Sequence, residues 1–246
     1  MSVIAIAQKE LLLYFTSLLF YTLAAVFLVL AGFFFYTNLD FFVRFGGMNL
    51  PLGLWQYQFF DMRQLLLALV PLLTMRLVAE ERKLGTLELL WTYPVRDLEI
   101  IAGKFLACLG VVTAMIGATA VYPLLLASLY PVTSGPLVAG YLGLWLLAAA
   151  CIACGLFLSA LTDSQLVAGA STYGVLLFFW VLTWNEAAVS EGALRILQPF
   201  SLFDRFQVFA QGAVDTRDVV YLLLFVLAFL GFTLFALDSR RWRGLR

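Results

Sequence analysis

The sequence has 246 residues, 63% of them hydrophobic and 12% charged, with fifteen basic and fifteen acidic side chains and no histidine. Soluble domains carry about 25% charged residues, so this composition excludes an ordinary soluble domain, and the zero net charge excludes a basic nucleic-acid binder. Lipid is the solvent such a chain requires, and six spans of roughly 20 residues would use about half of it, leaving no room for a second folded domain.

The fold class expected is an all-α integral membrane protein, a single transmembrane domain over residues 1–246. Residues 1–17 mix Ile4, Ile6 and Leu11 to Leu13 with Gln8, Lys9 and Glu10, the pattern of a short helix lying at the inner membrane interface. Span one is predicted at about 18–36. Its apolar run exceeds the roughly 7–15 residues of a signal-peptide core, so it reads as a retained anchor. Residues 37–63 hold Asp40, Arg44, Gly46, Gly47, Pro51, Asp61 and Arg63 among aromatics, and Trp55, Tyr57, Phe59 and Phe60 suit the membrane–water boundary. Span two is predicted at about 64–79.

Residues 80–97 form the most charged connection, broken by Pro94. Asp97 is the expected N-cap of the helix that becomes span three, about 98–130, whose first turns protrude into the cytoplasm. A turn through Tyr130-Pro131 and Gly135-Pro136 leads to span four, about 137–161. A tight link, Thr162 to Gln165, leads to span five, about 166–185. Within the polar stretch 186–218, Ser201 to Gln211 predicts a short helix. Ser201-x-x-Asp204 is a capping box, Gly212 ends the helix, and Phe203, Phe206 and Ala210 share its apolar face. It is too short to span and is therefore interfacial or re-entrant. Span six is predicted at about 219–238.

Basic residues set the orientation. With the N-terminus inside, ten lie on the cytoplasmic side (Lys9, Arg76, Arg82, Lys83, Arg96, Lys104 and the four arginines from 240 onward) and five outside (Arg44, Arg63, Arg195, Arg205, Arg217). Both ends are thus expected in the cytoplasm.

The predicted span centres carry no ionisable residue, which argues against a pump, an ion-coupled transporter or a channel with a mid-pore ring of acids. The sequence has no Walker A motif: Gly103-Lys104 lacks the upstream glycine and is followed by Phe105. It has no nucleophile elbow, zincin motif or paired Cys/His set either. No catalytic residue, metal or cofactor is expected on this chain. Cys151-x-x-Cys154 reads as two small polarizable residues packing between helices. Gly155/Ser159 and Ala170/Gly174 are small pairs at the spacing that lets helices approach.

The segment from Pro71 to Lys104 stands apart. It is a charged, amphipathic turn-and-helix at the inner face, interrupted by Gly85, with charges of both signs suited to a soluble partner. Glu80-Glu81-Arg82-x-x-Gly85-Thr86-Leu87-Glu88-Leu89-Leu90, then Pro94-Val95 and Gly103-Lys104, resembles the type-2 ABC exporter permeases, closest to the GldF-like and NosY-like branches. The resemblance extends to the opening Gln8-Lys9-Glu10-Leu11, to the link Ser159 to Gln165, and to Pro199-Phe-Ser-Leu-Phe-Asp-Arg-Phe with Gly212 and Asp215-x-Arg217-Asp218.

The resemblance implies six spans, an entry helix, a cytoplasmic coupling helix between spans two and three, and short outer helices between spans five and six. It implies a paired second permease, a copy or a paralogue, and a separate ATPase that holds the ATP and magnesium. Glu80, Glu81, Arg82, Gly85, Thr86 and Glu88 would form the ATPase-coupling region. Pro199, Phe203, Phe206 and Gly212 would form the outer region. Glu80 and Glu81 would pair either with the partner or with a neighbouring helix. Two other readings compete. One is a scaffold that recruits an ATPase to a gliding or metallocluster-maturation machine without transport. The other is a membrane enzyme using the acids Glu186, Glu191, Asp204, Asp215 and Asp218, which read more simply as caps and a solvated face.

Overall fold

A computed structural model describes residues 3–45, 50–85, 96–129, 134–181 and 201–243. The described residues are helical apart from short turns. Helix α1 (Val3–Thr16) meets α2 (Leu18–Phe45) through the single non-helical residue Ser17. Helix α3 (Leu50–Thr74) is followed by turns at 75–78 and the short α4 (Ala79–Lys83). Then come α5 (Asp97–Ala118), α6 (Val121–Ala127), α7 (Ser134–Leu161), α8 (Gln165–Val181), α9 (Leu202–Ala210) and α10 (Thr216–Arg243).

Among the described residues, five helical segments are long and apolar enough to cross a membrane: Leu18–Arg44, Gly53–Lys83, Asp97–Ala127, Ser134–Leu161 and Thr216–Ser239. The expected fifth span corresponds to α8, an apolar helix with 17 described residues. The first two spans run well past their predicted limits. The stretch 37–63, expected as a polar connection, is mostly helix, because its polar side chains satisfy one another. Arg44 Nε donates to Asp40 Oδ1 one turn away at 2.8 Å, and Asn38 Nδ2 donates to Asp61 Oδ2 across the hairpin at 2.7 Å. Phe42 packs on Tyr57 between them. The candidate span Gly53–Lys83 therefore carries Asp61 and Arg63, which the shorter predicted span excluded.

Helix α5 begins one residue earlier than predicted. Arg96 is the N-cap, and Asp97 sits inside the first turn with Glu99, where carboxylates meet the positive end of the helix dipole. Between α5 and α6 the helix breaks at Thr119-Ala120. Pro123 has no N–H to give the Thr119 carbonyl, and the Tyr122 N–H takes that oxygen at the tighter spacing, 3.0 Å. The short helix predicted at 201–211 is α9. The Ser201 hydroxyl accepts the Asp204 N–H at 3.2 Å, and Gly212 ends the helix at φ +87°.

Helix α7 is the axis. It packs on α3, α4, α5, α8, α9 and α10, and 78% of its apolar window is buried, against 17% for α2 and 22% for α10. Small residues let neighbours come this close. A Cβ on Gly140 would lie 2.1 Å from the Phe59 ring, and one on Gly143 would lie 2.3 Å from Phe209. Of the predicted small pairs, Gly155/Ser159 faces the end of α3, whereas Gly174 opens on free space. Cys151 and Cys154 are free thiols buried in the core of α7.

Candidate functional site

The charged end of the bundle gathers α1, the end of α3, α4, the start of α5 and the end of α7. Its geometry follows from the break in α3. Pro71 lies inside that helix, and after Met75, whose N–H still reaches the Pro71 carbonyl, the i→i−4 ladder gives way to the tighter Leu77–Thr74 bond. Backbone groups freed there need partners, because lipid supplies none. Two side chains supply them. The Tyr14 hydroxyl, from α1, donates to the Leu73 carbonyl at 3.0 Å. Ser159 Oγ, from α7, accepts the N–H groups of Val78 and Ala79 at 3.2 and 3.1 Å and donates to the Met75 carbonyl at 3.3 Å. Burial pushes the Tyr14 phenol well above its usual range, so it remains a neutral donor.

A buried ionic cluster sits beside this joint. Lys104 Nζ lies 3.0 Å from Glu10 Oε1 and 2.9 Å from Glu81 Oε1. The Lys104 side chain is only 3% exposed. One ammonium thus ties α1, α4 and α5 together, where removing it would strand two carboxylates in a poor solvent. The cluster depends on Gly103. A Cβ there would lie 2.7 Å from Ile6, so the glycine is what lets α1 lie against α5 and bring Glu10 within reach. Arg82 makes a second joint. Its Nε pairs with Asp163 and its Nη1 donates to the Ala160 carbonyl at 3.2 Å, which fixes α4 to the link between α7 and α8.

The predicted coupling residues therefore separate. Glu81 and Arg82 are engaged within the chain, Glu81 with Lys104 of the neighbouring α5. Glu80 faces a cavity of about 480 Å³ between α1, α3 and α4. Gly85 takes a left-handed turn at φ +68° with open space around it. Thr86 and Glu88 lie outside the described residues.

At the opposite end, Phe203 and Phe206 are buried under α9, and Gly212 closes on Pro136. Pro199, Glu186 and Glu191 lie outside the described residues. Helix α9 reaches Gly143, nine residues or about 14 Å along α7 from its first residue. Arg205 pairs with the buried Asp218 at 2.8 Å and lies over the Tyr221 ring. Arg63 lies over the rings of Phe60 and Phe203, at 5.0 and 5.7 Å from their centroids. Asp218 is thus the partner of an arginine, and Asp204 lies in the first turn of α9 with its N–H capped by Ser201.

Sequence reasoning used Lys104 for orientation and as the end of the Gly103-Lys104 motif, and missed its role as a buried counter-ion. The signal was present: a lysine seven residues into an apolar helix, directly after a glycine, needs a buried partner. The Tyr14 and Ser159 hydroxyls carried no such signal, because they serve backbone atoms that a regular helix would have satisfied.

Among the described residues no group of three or more His, Cys, Asp or Glu side chains could hold a metal ion. No curated protein matches the chain. The family model of the ABC-2 family transporter proteins matches residues 4–242, which includes every joint described above. With five apolar helices long enough to cross a bilayer and that match over nearly its whole length, the chain is a multi-pass membrane protein and belongs to the ABC-2 transporter family.

Proposed function

We propose that this chain is the permease subunit of an ATP-driven exporter, working with a second permease and with an ATPase carried on separate chains. The observation that carries the reading is the interrupted segment 75–85. It is short, charged, and tied by side chains to α5 and α7 directly and to α1 through Lys104, which Glu10 shares with Glu81. A segment so connected transmits a push. Displacing α4 would pull α5 through Glu81–Lys104 and the α7–α8 link through Arg82–Asp163, and α7 touches most of the bundle. Glu80, Glu81, Arg82, Gly85, Thr86 and Glu88 then form a coupling region that moves as a unit, in which Glu81 and Arg82 serve as internal ties. The family assignment and the lack of a Walker A motif support an ATPase partner that binds the nucleotide and magnesium.

On this reading α8 is the fifth of six spans, both chain ends face the cytoplasm of an inner membrane, and the charged end is the cytoplasmic one. The excess of basic residues on that side supports the orientation. The GldF-like and NosY-like permeases remain the branch that the coupling motif most resembles. Helix α9 and the Pro199, Phe203, Phe206 and Gly212 region belong to the outer face.

Purification from native membranes followed by mass spectrometry tests the proposal. A soluble chain with a Walker A motif should accompany the protein. Lys83→Glu, an exposed change on α4 outside the internal ties, should weaken that association and leave membrane insertion unchanged. Recovery of the chain without any ATPase would overturn the reading.

A further inference from the structure

The cavity at the charged end is lined by six charged side chains: Lys9, Arg76, Lys104, Glu10, Glu80 and Glu81. Their charges sum to zero, but they are not all paired. Lys104 is shared by Glu10 and Glu81. Lys9, Arg76 and Glu80 have no ion-pair partner among the described residues. Arg76 is the sharpest case, because its Nε is buried with no hydrogen-bond partner. A guanidinium desolvated in this way, with no counter-ion among the described residues, costs free energy that an anion beside the cavity face of the same side chain would offset.

Tyr14, Thr16 and Ser17 add hydroxyls to the lining, and the rest of it is leucine and phenylalanine. Leu13, Leu19, Phe20 and Leu72 belong to α1, α2 and α3, and Leu13 and Leu72 are also exposed on the outside of the bundle. The cavity is open to its surroundings, lies next to the first two apolar spans, and falls within the roughly 300–1,000 Å³ of small-molecule sites. Its occupant must bring an apolar tail, an anionic acceptor for Arg76 and a cationic donor for Glu80. Charge balance narrows the headgroup further. An anionic lipid would add uncompensated negative charge to a neutral lining, whereas a zwitterion adds none.

We infer that the α1–α3–α4 cavity is a binding site for an aminophospholipid, with the phosphate on Arg76 and Lys9 and the primary ammonium on Glu80. Basic pockets between helices at a membrane face suit phosphate headgroups, and Arg76 supplies the planar fork that phosphate accepts in pairs. The acid at Glu80 is what selects an ammonium with N–H donors over a quaternary one. Because Glu80 sits on α4, an occupied site would hold α4 against α1 and α3. The inference needs only the membrane setting of the chain and does not depend on its pairing with an ATPase.

Native mass spectrometry of the full chain in detergent tests it, with dioleoyl phosphatidylethanolamine, phosphatidylcholine and phosphatidylglycerol offered at equal concentration. The expected result is retention of the phosphatidylethanolamine about tenfold over the other two, the scale of one charge-assisted hydrogen bond. Glu80→Gln should lower phosphatidylethanolamine to the phosphatidylcholine level. Arg76→Gln should lower retention of all three, and Arg76→Lys should restore only part of it, because the charge returns without the fork, which separates lost binding from lost folding. Equal retention of the three lipids by the unaltered chain, a preference for phosphatidylglycerol, or an unchanged preference in Glu80→Gln would overturn the site. Displacement by glycerophosphoethanolamine as effective as by the lipid would assign the cavity to a soluble phosphodiester and remove the membrane lipid as its source.

Discussion

At the charged end, Lys104, Glu10, Glu81, Arg82 and Ser159 join α1, α4, α5 and α7 through polar atoms. At the other end, Phe59 and Phe209 close on Gly140 and Gly143 with no charge between them. The two kinds of joint respond differently to force. A ring seated on a glycine has one close-packed position, and moving it opens a void or a clash. An ammonium shared between two carboxylates has alternatives, since either partner can be exchanged for another oxygen or for water. The polar end is therefore where the bundle can be reset by a partner, and the aromatic end is where it holds its shape.

Substitutions at each end should break or sharpen that contrast, each read as the fraction of monodisperse protein surviving heating in detergent. Lys104→Met should have the largest effect. It strands Glu10 and Glu81 together and should cost about 3–5 kcal/mol. Combining it with Glu10→Met and Glu81→Met should recover most of the loss, and failure to recover would mean the cluster does more than satisfy its own charges. Gly143→Leu should come next, at about 2–3 kcal/mol, because the added carbons have no space against Phe209. No charge change elsewhere should rescue it. Ser159→Ala should cost about 1–2 kcal/mol by leaving the Val78 and Ala79 N–H groups without an acceptor. A smaller loss would place a water at that joint. Asp163→Asn should be the mildest, below about 1 kcal/mol, since Asp163 is 68% exposed and its pair with Arg82 is solvated.

The contrast also explains what the sequence revealed. Apolar runs located the helices, and Ser201, Asp204 and Gly212 located α9 with its cap and stop. The 37–63 stretch misled because charge was read as a sign of loop, while Asp40 with Arg44 and Asn38 with Asp61 are pairs visible only once the helices are built. The coupling motif was found by its resemblance and its charge density. Which of its acids turns inward was not legible, because that depends on Lys104, more than twenty residues downstream, meeting α4 in space. Glycine sockets were legible only as spacing: Gly155 meets Thr74, and Gly174 meets nothing.

The placement of α1 bears on how the chain is made. Glu10 and Lys104 are separated by 94 positions, and α1 packs along α5 far more than along α2, to which Ser17 joins it. At translation speeds of about 5–20 residues per second, the first helix is finished roughly 5 to 20 s before its binding surface exists. During that interval two apolar spans must enter the bilayer while α1 waits on the surface with Glu10 still in water. The ion cluster is thus a late step of assembly, and it closes only when the third long helix has been delivered.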